Sequence, residues 1–259
     1  MQILLIGCGK MGGAMLRRWL QSDIAHFTVA SPNGGSVPPG VEHVRSPAEL
    51  GERLFDMMLI AVKPQMIDTA LPPYMPHLAP DGCLVSIAAG YSSARITALT
   101  GDRPVIRLMP NLPAMIGQGV NGLFANALCT PAHREAAAAL ARATGSAIWV
   151  EDEDQIDRIT AVAGSGSGYV FEIARSYVAA AEALGFDTAT ARTLVLDTMA
   201  GAIEMARQSD QLLETLRKDV TSKNGTTQAG LEALMQDGQL DTLLENTTKA
   251  AYARAIELR

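Results

Sequence analysis

The sequence predicts an α/β chain with an N-terminal Rossmann-type doubly wound sheet and an all-helical C-terminal half. Three observations predict it. Short apolar runs alternate with helical patterns up to about residue 150, the rhythm of βαβ units. From Glu151 onward the pattern is helical throughout. The first apolar run leads directly into a glycine-rich turn that opens a helix. The expected domains are therefore residues 1–150, binding a dinucleotide, and residues 151–259, helical, binding substrate and serving dimerisation.

Gln2 to Ile6 is the first strand, and Gly7-Cys8-Gly9-Lys10-Met11-Gly12 follows it. Met15, Leu16, Trp19 and Leu20 then repeat at helical spacing. In a dinucleotide fold the first glycine permits the tight turn, the second admits the pyrophosphate and the third lets helix pack on strand. Cys8 is a small filler in that turn. Phe27 to Ala30 is the second strand, and the position after it bears on the cofactor. An NAD site usually places an acid about 20 residues beyond the turn, to hold the ribose hydroxyls. Here Ser31-Pro32-Asn33-Gly34-Gly35-Ser36 offers donors and no carboxylate, with no Arg immediately following. NADPH is favoured, with NADH possible.

Met57 to Val62, Cys83 to Ala88, Val105 to Leu108, Gly122 to Phe124 and Ala147 to Val150 complete the expected strands. Ligands of open α/β sheets gather beyond the strands' carboxyl ends. Ala61-Val62-Lys63-Pro64 and Ala88-Ala89-Gly90, which close two of these strands, should therefore border the cofactor, and the Pro110-Asn111-Leu112-Pro113 turn follows the next strand. For Lys63 a solvated surface charge is a nearly equal reading.

Ile156 to Leu184 is expected as one helix carrying apolar residues on almost every face, and such a helix must be buried. A domain of this size has few elements to cover it, so a second subunit is expected to do so. Gly164-Ser165-Gly166-Ser167-Gly168 lies within it, at a cost of about 1 kcal/mol per interior glycine. Close helix crossing and ligand contact are equal explanations. Further helices are expected over 188–208, 210–219, 227–236 and 240–258.

Between two of them lies Leu216 to Leu231, which holds Thr221, Ser222, Thr226 and Thr227 with Gly225 and Gly230. Hydroxyls, close backbone and the free N–H groups of a helix start together make a cradle for a carboxylate. An ordinary capped helix start has the same composition.

The 259 residues, 48% hydrophobic and 5% aromatic, suffice for two aliphatic cores. A formal net charge of −6 without a basic run argues against nucleic acid as partner. No apolar stretch is long enough for a bilayer span. The chain opens on a strand rather than a secretory pattern, so a cytoplasmic location is expected. Cys8, Cys83 and Cys129 lack zinc spacing, so reduced thiols and no metal are expected.

The chemistry is constrained by what the motifs lack. Carbonyl reduction generally needs a positioned acid such as His or Lys. His26, His43, His77 and His133 all fall in the first half and outside every motif. An imine can carry its own proton before hydride arrives, so a hydroxyl that orients its nitrogen suffices. A Ser/Thr cradle fits C=N reduction.

The run Ser222-Lys223-Asn224-Gly225-Thr226-Thr227 resembles the C-terminal signature of pyrroline-5-carboxylate reductases, normally Ser-Pro-Gly-Gly-Thr-Thr, and departs from it at two positions. Val62-Lys63-Pro64, Ala88-Ala89-Gly90, the Asn111-Leu112-Pro113 turn and the glycine run at 164–168 resemble the same family. In the last, Ala163 and Ser167-Gly168 replace a Ser and a Pro-Ala pair. The resemblance spans nearly the whole chain. It implies an enzyme that reduces 1-pyrroline-5-carboxylate to L-proline with NADPH, as at least a homodimer. It implies Thr227 as the residue contacting the ring nitrogen, Ser222, Gly225 and Thr226 as carboxylate holders, and Glu153 on the substrate side. It further implies Gly7, Cys8, Gly9, Lys10, Met11 and Gly12 at the pyrophosphate, Ser31 and Asn33 at the adenosine ribose-phosphate, and Val62, Lys63 and Ala89 at the cofactor wall. The alternatives are a β-hydroxyacid dehydrogenase or broader imine reductase of the same architecture, with Lys218 or Lys223 as the acid in the former, and a non-catalytic NADPH-binding regulator.

Overall fold

The computed structural model describes residues 1–34 and 37–259. Gly35 and Ser36 of the expected ribose-phosphate loop lie outside the described residues. The chain forms two compact units, residues 1–167 with 250–259, and residues 168–249.

The first unit is built on an eight-stranded sheet of order β3-β2-β1-β4-β5-β6-β7-β8. Its strands are β1 (Gln2–Ile6), β2 (His26–Ala30), β3 (Glu42–Val44), β4 (Phe55–Ile60), β5 (Leu78–Ser86), β6 (Val105–Met109), β7 (Gly119–Ala125) and β8 (Gly145–Trp149). All neighbours pair in parallel except β6 and β7, which run antiparallel. Helices α1 (Lys10–Trp19), α2 (Ile67–Ala70), α3 (Ser93–Thr100), α4 (Pro131–Arg142) and α5 (Asp154–Ile159) accompany it.

Successive side chains of a strand leave on opposite faces, and both faces of this sheet are covered. Ile3 and Leu5 of β1 join Met15, Leu16 and Trp19 of α1 and Leu140 of α4 in one core. Leu4 and Ile6 join Ile67, Leu71, Tyr74 and Ile96 in the other. Trp19 stacks on Phe27 with ring centroids 5.6 Å apart, and its indole N–H donates to the Leu140 carbonyl at 2.9 Å.

The expected β strands all form, β1 with the ends expected of it and the others with shifted ends. β3 is additional to them: three residues are too few to show an alternating pattern. The expected long helix from Ile156 is interrupted. A π-helical stretch, Thr160–Gly164, separates α5 from α6 (Gly166–Ala183), at the start of the glycine run.

The second unit holds most of α6, all of α7 (Thr188–Gln208), α8 (Leu213–Asp219) and α9 (Thr226–Leu234), and the first part of α10 (Gln239–Glu257). α8 starts three residues later than expected because Ser209 is extended and its hydroxyl accepts from the Gln211 N–H at 3.1 Å, a local turn that competes with helix. Val170, Phe171, Ile173 and Tyr177 of α6 and Ile203 and Met205 of α7 are exposed in the single chain. Among the described residues no helix is long and apolar enough to cross a membrane.

Candidate active site

The glycine turn after β1 has the geometry its spacing predicts. Gly7 sits at φ +90°, and a β-carbon there would lie 2.8 Å from Val62 Cγ1 and 2.9 Å from the Ala61 carbonyl oxygen. Only glycine fits. A β-carbon on Gly9 would meet nothing within 4 Å, which leaves room for a ligand against the N-terminus of α1. Gly12 packs closely on Ala61, 3.0 Å from its β-carbon position. The first turn of α1 contains no acid, and Gly9 supplies no capping side chain. Its free N–H groups and partial positive charge therefore face outward, as an anion requires. Cys8 is buried in the core as filler, whereas Lys10 is exposed and Met11 half-buried.

Beside this turn is a cleft of about 260 Å³ lined by Gly7, Ala30, Pro32, Arg45, Ser46 and Val62, among others. Ser31 is buried at its edge. Its N–H donates to the Val44 carbonyl at 3.0 Å, and its own carbonyl accepts from His43 Nε2 at 2.7 Å. Asn33 is exposed next to it. The structure adds a residue that the sequence reading missed. β3 pairs with β2 so that Ala30 lies opposite Val44, which delivers Arg45 to the mouth of the cleft. The cation absent immediately after β2 arrives from the end of the next strand.

Val62 lines this cleft, Lys63 is exposed, and Ala89 lines a separate hollow with Pro64, Gln65, Arg95 and Leu258. Asn111 spans two elements: its Oδ1 accepts from the Val120 N–H at 2.9 Å and its Nδ2 donates to the Ala163 carbonyl at 3.2 Å. It thereby satisfies a carbonyl within the π-helical stretch. Among the described residues the buried Ser167 hydroxyl meets no partner.

Glu153 is bound by side-chain and backbone donors of two elements. Its carboxylate accepts from the Ser93 N–H at 2.7 Å, the Ser93 hydroxyl at 2.5 Å and Arg107 at 3.1 Å. Arg107 and Asp157 are each 1% exposed and stand 3.6 Å apart, and Arg259 reaches Asp157 at 2.5 Å. A carboxylate so fully engaged is an anchor for the start of α5. Next to it, hydrogen bonds from Tyr252, Arg259 and Arg158 hold the Asp154 carboxyl down at about 2.

In the second unit the cradle is an exposed helix start. Gly225 is the residue before α9, and a β-carbon there would collide with the Ser222 hydroxyl. Asn224 adopts φ +61°, and its N–H donates to Gln228 Oε1 at 2.8 Å. Asn is the non-glycine residue that best tolerates this conformation, so it reproduces the turn that glycine would make. Ser222, Thr226 and Thr227 are exposed, and among the described residues their hydroxyls meet no partner. Thr221 is spent on the Arg217 carbonyl at 2.6 Å. The first turn of α9 contains no acid. Two amide-rich helix starts and free hydroxyls suit anionic ligands.

Residues 2–90 match the family model described as NADP oxidoreductase coenzyme F420-dependent, and residues 153–258 match that of pyrroline-5-carboxylate reductase dimerisation. The chain is 42% identical to a pyrroline-5-carboxylate reductase of Pseudomonas aeruginosa, over 78% of this chain and 74% of that protein. It belongs to the pyrroline-5-carboxylate reductase family. It is also 32% identical to pyrroline-5-carboxylate reductase 2 of Bacillus subtilis, over 100% of this chain and 95% of that one. A solved pyrroline-5-carboxylate reductase from Coxiella burnetii superposes with a TM-score of 0.91 at 32% identity, covering 99% of this chain and 97% of the other. As a member of this family the chain is an NAD(P)H-dependent oxidoreductase. Its departures at Lys223 and Asn224 preserve the helix start, since Asn224 holds the left-handed turn.

Proposed function

We propose that the protein reduces 1-pyrroline-5-carboxylate to L-proline, with hydride supplied by NADPH. Family membership and the free hydroxyls before and within the first turn of α9 support this reading. The substrate's carboxylate is held by the amides of Thr226 and Thr227 and the Ser222 and Thr226 hydroxyls. Thr227 orients the protonated ring nitrogen, so the carbon of the C=N bond faces the incoming hydride. The nitrogen brings its own proton, and no histidine is needed. Bound NADPH supplies the hydride. Its pyrophosphate is held against the N-terminus of α1 by Gly7, Cys8, Gly9, Lys10, Met11 and Gly12, with Val62, Lys63 and Ala89 along the wall. Ser31, Asn33 and Arg45 hold its 2′-phosphate, and Arg45 supplies the charge complement.

The assembly is a homo-oligomer of at least two chains, because the apolar faces of α6 and α7 need a cover. The decisive assay follows NADPH absorbance on adding pyrroline-5-carboxylate. Oxidation of NADPH with matching formation of proline is expected. Cofactor binding without turnover would identify a non-catalytic regulator. Turnover of a 3-hydroxy acid with NADP⁺ but not of the imine would identify a hydroxyacid dehydrogenase.

A further inference from the structure

Cys83, Cys129 and His133 are brought together by the sheet, although no sequence spacing joins them. Leu84 pairs with Val105, and Ile106 with Ala125, so the segment that follows β7 returns beside β5. Asn126 fixes that segment: its Oδ1 accepts from the Val105 N–H at 3.1 Å and its Nδ2 donates to the Arg103 carbonyl at 2.9 Å. Cys129 follows, and its N–H donates to the Asn126 carbonyl at 3.1 Å. Thr130 and His133 form a reciprocal cap at the start of α4. One ligand atom from each of Cys83, Cys129 and His133 lies within 4.8 Å of the other two.

We propose that Cys83, Cys129 and His133 form a binding site for a thiophilic divalent cation of the zinc class. Bonds of about 2.0 to 2.3 Å in a tetrahedral shell place ligand atoms about 3.3 to 3.8 Å apart. The observed cluster closes onto an ion through side-chain movements on the order of 1 Å. His133 is already in the tautomer required of a ligand. Its Nε2 faces the Asp81 carbonyl at 2.9 Å and must donate to it, which leaves the lone pair on Nδ1; the Thr130 N–H that donates to Nδ1 at 3.2 Å gives way when the ion binds. A backbone carbonyl on the other ring nitrogen is the usual support of a metal-bound imidazole.

Charge favours the site as well. Cys83 is fully buried, Cys129 and His133 half-buried. Two thiolates cancel the charge of the ion, so it enters the protein without an uncompensated charge. Binding releases both thiol protons to solvent as two S–metal bonds form. The half-exposed side toward His133 is the entry path and leaves the fourth position to water. The ion would cross-link β5, the turn after β7 and α4, beside Asp81 and away from the carboxyl ends of β1 and β4 where the glycine turn lies. It is a structural clamp, with no part in hydride transfer.

The test uses the full-length protein, reduced and stripped with chelator, titrated anaerobically with Co²⁺. Thiolate-to-cobalt charge-transfer absorption should rise to one equivalent per chain, and Zn²⁺ should abolish it. Cys129→Ser and His133→Gln should each weaken Co²⁺ binding on the order of tenfold or more. Cys8→Ala should leave the absorption intact. Circular dichroism confirms that each variant is folded, and His133→Gln decides the matter if Cys129→Ser is not. A folded protein without the absorption, or a band that survives His133→Gln unchanged, would overturn the site. So would a band lost with Cys8→Ala.

Discussion

Asn111 donates its side-chain amide to the carbonyl of Ala163 at 3.2 Å, tying the turn after β6 to the π-helical stretch that interrupts the second half's first helix. The same side chain accepts from Val120, so its loss removes a partner from two part-buried backbone groups. Each costs about 1 to 3 kcal/mol when buried. Asn111→Ala should therefore lower unfolding free energy by at least about 1 kcal/mol in urea titrations. A midpoint within error of the parent would mean that water replaces the side chain fully.

Arg45 stands at the mouth of the cleft that also holds Gly7 and Pro32. A hydrogen bond to a charged group contributes about 1.5 to 3 kcal/mol. Arg45→Ala should weaken NADPH roughly tenfold to a hundredfold and leave NADH nearly unchanged. Equal losses for both cofactors, measured by fluorescence titration, would take Arg45 away from the 2′-phosphate.

Thr227 is exposed at the first turn of α9 with its hydroxyl unpartnered among the described residues. Thr227→Val keeps its shape and removes the hydrogen bond, so kcat/KM for the imine should fall about tenfold to a hundredfold. NADPH affinity should hold. Lys223→Ala should change little. A nearly silent Thr227→Val beside an inactive Lys223→Ala would instead favour a lysine acid and a hydroxyacid substrate.

Asp154 titrates at about 2 because Tyr252 and two arginines stabilise its charged form. A carboxyl depressed in the folded state stabilises the fold above its ordinary value near 3.8, and that contribution is lost as pH falls toward 2. The melting temperature of Asp154→Asn should thus lie below that of the parent at neutral pH, and the two should converge between about pH 4 and 2. Parallel curves across that window would place the stabilisation elsewhere.

Phe171 is 61% exposed on α6, with Val170 and Tyr177 also exposed along the helix. A charge in the centre of a buried apolar interface lacks a partner, so Phe171→Asp should yield monomers in sedimentation equilibrium while the first unit still binds NADPH. A parent protein that stays monomeric at micromolar concentration would refute the assembly.

What the sequence determined by itself is local. The strand, turn and helix of residues 2–19 follow from apolar spacing and from glycines whose places are set by sterics. Thr188–Gln208 begins and ends where its periodicity does, with Asp187 capping it. The helix start at 222–227 is legible because hydroxyls, glycine and the apolar repeat that follows are contiguous. The tertiary structure decided what depends on long-range pairing. Arg45 reaches the cleft beside the glycine turn only because a three-residue strand docks beside β2, and three residues carry no pattern to read. Glu153 is committed to Ser93 and Arg107 by the packing of α5 on the sheet, which its acidic neighbours in the chain did not disclose. Cys83, Cys129 and His133 meet because β7 turns back against β6. Propensity and periodicity act over one or two turns of chain. Register between strands acts over a hundred residues, and it is register that brings distant side chains within reach of one ligand.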